Sequence, residues 1–193
     1  DRTPTEQFRS VNSLPRDISL FTVGEDIYAS ATPSEEVSSL RTSTAEIETF
    51  LVDNAASKDV AVGGYDAYEV SFTLKPQFEG KTKVTLCNAC GEKFSLEFDT
   101  ENMTVLADRS ESGKMTRIKS FVLMPAAPLG LCNSSDGYDV DVFVDKCSVE
   151  VFVDGGRIAM TNLVFPSESF DNIVFESTGE SEISNMFIHK IGK

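Results

Sequence analysis

The sequence predicts an all-β protein, a two-sheet antiparallel β-sandwich of lectin-like jelly-roll type. The first observation is a period of two, because apolar and polar residues alternate in residues 68–74 (YEVSFTL) and 94–98 (FSLEF). The second is that the alternating segments are short. The third is that turn residues such as Gly63-Gly64 and Asp136-Gly137 separate many of them. This spacing is typical of antiparallel sandwiches.

The same alternation predicts further strands along the chain. They cover residues 17–22, 26–31, 46–52, 84–86, 103–107, 117–124, 158–165, 173–176 and 183–191.

One segment departs from this period and predicts a short linker helix near the N-terminus. Thr32 is placed as the N-cap, Pro33 fits the first helical position, and Glu35 completes a capping box. The Ser/Thr-rich stretch 38–44 is expected to end the helix. The helix therefore separates a leading piece, residues 1–31, from the sandwich.

Charge and composition exclude several classes of partner. The chain carries 17 basic and 31 acidic residues, a formal net charge of −14, and no basic cluster. Such a chain repels a phosphate backbone and anionic lipid, so we expect no nucleic-acid and no membrane partner. The single histidine, His189, is interpreted as a strand-edge or surface residue. The chain starts at Asp1 rather than at methionine, and we expect it to be cut from a longer protein.

The clearest local object is a hairpin formed by residues 138–144 and 148–153, linked around Asp145-Lys146-Cys147. Its valines share one face, which we expect to be core. The opposite face mixes carboxylates with two large aromatics, so a second buried contact is expected there. The residues of that face are Asp139, Asp141, Phe143, Glu150 and Phe152.

The three carboxylates, Asp139, Asp141 and Glu150, could do acid and base work, and Asp139 and Asp141 could bind calcium. The favoured interpretation is a solvent-facing strand of an acidic protein.

The cysteines, Cys87, Cys90, Cys132 and Cys147, include one C-x-x-C but no second closely spaced pair. Free or partly paired thiols are expected, with no metal site and no cofactor.

Four stretches in chain order carry a resemblance to a known family. They are NSLPRDISL at residues 12–20, Thr32-Pro33 with Glu36, Leu40 and Arg41, then FSL at 94–96 with DRSESG at 108–113, and VDKCSVEVFVDGG at 144–156 with VFP at 164–166. They are similar to segments in the C-terminal half of glycoside hydrolase family 32, the invertases, inulinases and levanases. The residues that carry the motifs, for which structural roles are expected, are Pro15, Arg16, Asp108, Arg109, Ser112, Gly113, Asp145, Glu150, Phe152, Phe165 and Pro166.

The resemblance implies a sandwich docked against a five-bladed propeller that carries all the chemistry. Such enzymes are retaining glycosidases with an aspartate nucleophile and a glutamate acid. Their motifs, Asn-Asp-Pro, Arg-Asp-Pro and Glu-Cys, do not occur here, because the one Arg-Asp pair, Arg16-Asp17, is followed by Ile18. No catalytic residue is therefore assigned, and the chain alone is expected to be inactive.

The resemblance also implies domains, a partner and a location. Residues 1–31 become the end of the catalytic propeller and the start of the linker, and residues 32–193 the C-terminal β-sandwich. The expected function is to stabilise the propeller of the same polypeptide, with homodimerisation as an option. The alternative is a module that binds fructan through exposed aromatics. A periplasmic, surface-attached or secreted parent is expected. The aromatics named for the alternative are Tyr65, Tyr68, Tyr138 and Phe143.

Overall fold

The computed structural model describes residues 12–114, 121–124, 126–133 and 135–192. Their architecture is the predicted antiparallel β-sandwich, preceded by a separate two-stranded hairpin. This leading hairpin pairs β1 (Arg16–Val23) with β2 (Asp26–Pro33). A 3₁₀ helix, Glu35–Leu40, connects it to the sandwich and is called the linker helix below.

The sandwich consists of one seven-stranded and one six-stranded sheet. In the seven-stranded sheet the order is β13-β12-β11-β6-β15-β3, and a further short strand, β4, also pairs with β15. In the six-stranded sheet the order is β10-β9-β8-β7-β14-β5. The bounds in chain order are β3 Arg41–Ile47, β4 Phe50–Asp53, β5 Lys58–Ala61, β6 Tyr68–Pro76, β7 Lys81–Cys87, β8 Lys93–Asp99, β9 Thr104–Glu111, β10 Ala126–Pro128, β11 Tyr138–Asp145, β12 Ser148–Val153, β13 Ile158–Leu163, β14 Asn172–Ser177 and β15 Glu180–Ile191.

The core lies between the two sheets and is built from the alternating apolar residues of both. Phe72 on β6 packs edge-to-face on Phe175 of β14, with ring centroids 5.5 Å apart, and so joins one sheet to the other. Phe94 and Phe98 of β8 are fully buried in the same cluster. Burial of these rings is the main favourable contribution to folding here.

The central hairpin of the seven-stranded sheet agrees with its prediction. β11 pairs with β12 through Val142 opposite Val151 and Val144 opposite Val149, which leaves a two-residue loop at Lys146-Cys147. These valines are buried in the main core. The face opposite the valines therefore points out of the sandwich.

The predicted capping of the linker helix is wrong. Thr32 and Pro33 end β2 instead, and the helix begins after Ser34, which makes no side-chain cap. The hydroxyl of Thr32 donates to the carbonyl of Asp17, its partner across the hairpin, and Ser34 donates to the carbonyl of Pro15. Both hydroxyls are thus used by the leading hairpin, and the helix is a short 3₁₀ helix.

Other differences follow from neighbours that the sequence does not reveal. Residues 41–44, expected to end the linker helix, instead begin the edge strand β3, Arg41–Ile47, because β15 offers them hydrogen-bond partners. The strand predicted at 46–52 is broken between β3 and β4, and β5 and β10 were missed. Of the strand predicted at 117–124, residues 117–120 lie outside the described residues and 121–124 are not strand.

Two motifs that are distant in sequence meet beside the six-stranded sheet. Gly113 forms a parallel β-bridge with Phe165. The amide of Phe165 donates to the carbonyl of Ser112 at 3.1 Å, and the amide of Lys114 donates to the carbonyl of Phe165 at 3.0 Å. A Cβ at Gly113 would lie 2.0 Å from the Phe165 carbonyl oxygen, and its φ is +116°. Only glycine fits this approach.

We therefore expect Gly113→Ala to lower the free energy of unfolding by at least about 3 kcal/mol, since it combines a backbone clash with a strained φ. Urea unfolding measures the change. Gly130→Ala is the matched control, because nothing lies within 4 Å of its added Cβ, and it should change stability by less than about 0.5 kcal/mol. Equal effects of both substitutions would contradict the proposed role of this contact.

Candidate functional site on the outer face of the seven-stranded sheet

The outer face of the seven-stranded sheet carries most of the polar residues singled out in the sequence. Because directly paired residues share a face, the register places its side chains in two rows across the strands. The first row is Glu46, Phe187, Ser71, Asp141, Phe152 and Ala159, and the second is Thr44, His189, Glu69, Phe143, Glu150 and Thr161.

The half of this face that carries Phe143, Glu150 and Phe152 lies under the leading segment, residues 12–33, and is called the covered half. The Nη2 atom of Arg16 donates to Glu150 Oε2 at 2.5 Å, and the amide of Leu14 donates to Glu150 Oε1 at 2.9 Å. The Arg16 guanidinium also lies over the Phe152 ring, 4.9 Å from its centroid. The Leu-Pro-Arg motif and the Val-Glu-Val-Phe motif, far apart in sequence, are therefore in direct contact.

An apolar cluster surrounds this ion pair. Phe143 and Phe152 pack edge-to-face with centroids 5.9 Å apart. Val37 of the linker helix and Leu14 of the leading segment cover them. The expected second buried contact of these aromatics is thus confirmed.

A second attachment holds the other strand of the leading hairpin near the same end, since Ala31 faces Ile18. The amide of Ala31 donates to the carbonyl of Gly156 at 2.9 Å. A Cβ at Gly156 would lie 2.2 Å from the Ala31 oxygen, and its φ is +77°. The hairpin is therefore fastened to the sandwich at the start of β1 and at the end of β2.

The other half of the outer face, which carries Phe187, Ser71 and Asp141, is called the open half. It contains a second ion pair. Arg41 donates through Nε and Nη2 to both oxygens of Glu69, at 2.7 and 2.5 Å. The Glu69 side chain is only 2% exposed. A bidentate pair of this kind is the strong form of a carboxylate–guanidinium contact.

Asp141 lies beside this pair in a cavity of about 250 Å³ beneath the linker helix. Burial raises the pKa of Asp141 to about 6, and the nearby Glu69 carboxylate adds to the rise while Arg41 opposes it. His189 contacts Thr44 Oγ1 through Nδ1 at 2.8 Å. Burial lowers the pKa of His189, and Arg41 contributes in the same direction.

The three carboxylates considered for catalysis have different surroundings. Glu150 is engaged by Arg16 and by the Leu14 amide. Asp139 is exposed and accepts a hydrogen bond from Thr73 at 2.8 Å. Of these three carboxylates, only Asp141 lines the cavity beneath the linker helix. This arrangement does not supply the pair of facing, available carboxylates that glycoside hydrolysis requires.

The remaining motif residues shape loops around the sandwich. Asp108 accepts the Ser110 amide at 2.8 Å, and the Ser112 hydroxyl donates to the Arg109 carbonyl. Arg109 stacks on Phe121 at 4.4 Å, and burial lowers its pKa. Asp145 accepts the amide of Lys146. It also lines an open cavity of about 420 Å³ together with Pro166.

The aromatics named for the fructan-binding alternative are buried or partly covered in the structure. Tyr68, Tyr138 and Phe143 are buried, and Tyr65 is half-buried with Lys190 over its ring. For Tyr68 and Tyr138 the reason is the strand period, which places them on the inner face with the core valines. The alternation in residues 68–74 already contained this signal. Two features of the outer face were missed, the Arg41–Glu69 pair and the partly exposed Phe187.

Among the described residues, no three His, Cys, Asp or Glu side chains are placed to hold a metal ion. The four cysteines are free. None of the helices in the described ranges is long and apolar enough to cross a membrane.

Two facing sheets, with a hairpin fixed across the outer face of one, define a β-sandwich domain with an attached leading segment. Residues 36–190 match the family model described as "Glycosyl hydrolases family 32 C terminal". This match covers most of the chain. The chain therefore belongs to glycoside hydrolase family 32, as its C-terminal domain.

Individual relatives agree with this assignment. The chain is 26% identical to a levanase of Bacillus subtilis over 98% of its own length and 28% of the levanase. It is also 26% identical to an extracellular exo-inulinase of Aspergillus awamori, over 91% of this chain and 33% of the relative. The chain thus spans about a third or less of each of these relatives.

Solved structures give the same picture. The crystal structure of the Aspergillus awamori exo-inulinase superposes with a TM-score of 0.78 at 25% identity, over 99% of this chain and 38% of that one. A Schwanniomyces occidentalis fructofuranosidase complexed with fructosylnystose gives a TM-score of 0.80 at 19% identity, over 99% of this chain and 42% of that one. The second likeness concerns the fold alone.

The surroundings of Asp141 predict a pH dependence of stability. Because its pKa is raised to about 6 in the folded chain, ionisation of Asp141 opposes folding. Its favourable contribution is complete below about pH 4 and is lost as the pH rises through about 6. We expect Asp141→Asn to raise the free energy of unfolding at pH 7 by about 1–3 kcal/mol and to have little effect at pH 4.

Urea unfolding at both pH values measures this difference. Asp139→Asn, on the same strand but exposed, is the control and should change stability by less than about 0.5 kcal/mol at either pH. An Asp141→Asn effect that is the same at pH 4 and pH 7 would show that ionisation of Asp141 does not oppose folding.

Proposed function

We propose that this chain is the non-catalytic C-terminal module of a fructan-degrading hydrolase of levanase or inulinase type, and that it stabilises a catalytic propeller in the same polypeptide. The parent enzyme hydrolyses β-fructofuranosyl bonds with retention of configuration. The names of the relatives support this substrate class, since they are levanases and extracellular exo-inulinases. The exo-inulinase is named as extracellular, which supports export of the parent from the cell.

The observation that carries the proposal is an exposed apolar row on the leading hairpin. Ile18 and Leu20 of β1 are 68% and 74% exposed, and Ile27 of β2 is 68% exposed. Ile18 faces Ala31 across the hairpin, Leu20 faces Ala29, and Thr22 faces Ile27, so the apolar side chains lie on one face. A contiguous apolar surface of this kind is typical of an interface.

The attachment of the hairpin makes this row usable for docking. Arg16 and Ala31 fix the open end of the hairpin to the sandwich, and Arg157 lies over the Phe21 ring nearer the turn, so the row is presented on a braced element. A surface held in its bound conformation loses less entropy when a partner docks. We assign residues 1–31 to the propeller end and linker, and residues 32–193 to the sandwich domain; the separate pairing of β1 with β2 supports a boundary near this position, since β2 ends at Pro33.

The test uses the catalytic domain of the parent expressed separately. The chain alone should release no fructose from levan, inulin or sucrose. Added to the catalytic domain, it should bind and lengthen the half-life of activity at elevated temperature. Fructose release by the purified chain alone, or a half-life that does not change despite binding, would contradict the proposal.

We expect Ile18→Asp with Leu20→Asp to abolish binding to the catalytic domain, because charges would be buried in an apolar interface. The stability of the chain alone should change by less than about 0.5 kcal/mol, since both side chains are exposed. Pull-down and urea unfolding give the two readouts.

Leu51→Asp on β4 is the matched control, because Leu51 is 57% exposed but lies away from the hairpin on the seven-stranded sheet. It should bind as the wild type does. Size-exclusion chromatography gives the further outcome: a dimer of the chain that the hairpin variant dissolves would assign the apolar row to a second copy and overturn the assignment to the propeller.

A further inference from the structure

The open half of the outer face combines groups that have no role in the docking described above. Phe187 on β15, Ser71 on β6 and Asp141 on β11 stand side by side in the first row. All three are partly exposed. The leading segment, which covers the opposite end of this face, contacts none of them through a described hydrogen bond or ring contact.

Phe187 provides a flat apolar surface in this row. Its ring is nearly parallel to the His189 imidazole, at an interplanar angle of 14° and with centroids 6.1 Å apart. His189 is itself held by Thr44 at 2.8 Å. The Phe187 ring is therefore fixed in orientation while part of it stays open to solvent. Such a ring offers contact area at little cost in conformational entropy.

Hydrogen-bonding groups of both kinds lie at the other end of the row. The Asp141 carboxylate lines the cavity beneath the linker helix and offers only acceptors when ionised. Arg41 uses two of its N–H groups on Glu69, but its side chain is 37% exposed, which leaves further donors open to a ligand. An acceptor and a donor therefore line the same cavity.

We propose that the open half of the outer face binds a short neutral oligosaccharide of fructosyl units, with one unit on Phe187 and another in the cavity at Asp141 and Arg41. Neighbouring strands lie about 4.8 Å apart, so Phe187 and Asp141, two strands from each other, are separated by about 10 Å. A ligand that contacts both is extended across the strands, as an oligosaccharide is.

Sugar chemistry fits this surface better than a cation does. Hydroxyl groups both donate and accept hydrogen bonds, so a sugar uses Asp141 and Arg41 together, and its C–H face packs on the Phe187 ring. A cationic ligand would gain from Asp141 and from Glu35, which also lines the cavity, but it would leave the free donors of Arg41 unused. The choice of fructosyl units rests on the proposed function, whereas the surface is formed by this chain alone, with Thr32 and Pro33 of the leading hairpin also lining the cavity.

The test is titration of the isotope-labelled chain with inulin- and levan-derived oligosaccharides, followed by NMR. Shift changes should centre on residues 71, 141 and 187 and saturate. Phe187→Ala should lower the affinity about tenfold through loss of the stacking surface. Asp141→Asn should lower it at least about threefold, and it is a decisive variant because it is expected to be stably folded at pH 7.

Phe78→Ala is the control, since Phe78 is an aromatic 68% exposed in the loop between β6 and β7, and it should bind as the wild type does. No saturable binding, binding mapped to other residues, or unchanged affinity in both Phe187→Ala and Asp141→Asn would overturn the proposal. Equal shifts with spermidine would do so too, by assigning the surface to cations. The titration uses the chain alone, so its failure is separate from failure of docking to the catalytic domain.

Discussion

The ion pair between Arg16 and Glu150 is the contact on which the arrangement of the chain depends. It joins a hairpin that has little burial of its own to the most buried hairpin of the sandwich. The Glu150 side chain is only 5% exposed. Loss of Arg16 would leave this buried carboxylate without its charge partner, which destabilises a fold more than replacing both partners by apolar residues does. The neighbouring Phe152 ring adds a cation–π contact and fixes the guanidinium in place. Without this contact the apolar row of Ile18 and Leu20 would not be presented in a defined orientation.

Three carboxylates of the outer face have two different roles. Glu150 and Glu69 each bind one arginine, and those arginines come from the leading segment and from the edge strand that follows the linker helix. Both pairs therefore attach N-terminal elements to the sheet. Asp141 shares the cavity with the second pair, and burial there raises its pKa to about 6. The two carboxylates that hold arginines thus lie in the second row, and Asp141 lies in the first.

The sequence predicted the sandwich because burial on one face imposes a period of two on every central strand. It also predicted that Phe143 and Phe152 need a second cover, since two aromatics cannot stay exposed beside three carboxylates. It did not predict that Leu14 and Val37 supply this cover, or that Arg41 pairs with Glu69, because such contacts depend on how distant segments meet. For the same reason the start of β3 was read as the end of the linker helix: its strand conformation comes from pairing with β15. The motif residues Arg16, Glu150, Gly113 and Phe165 were selected by resemblance, and the structure brings them together in two pairs.

Hydrogen exchange on the chain and on Arg16→Ala tests the central claim most directly. In the wild type, amides of residues 18–21 should be protected, although less than those of residues 149–153, whose strand is buried whatever precedes it. In Arg16→Ala the protection of residues 18–21 should fall at least about tenfold while that of residues 149–153 stays the same. Exchange at residues 18–21 that is equally slow in both proteins would contradict the claim that the Arg16–Glu150 contact holds the leading hairpin on the sandwich.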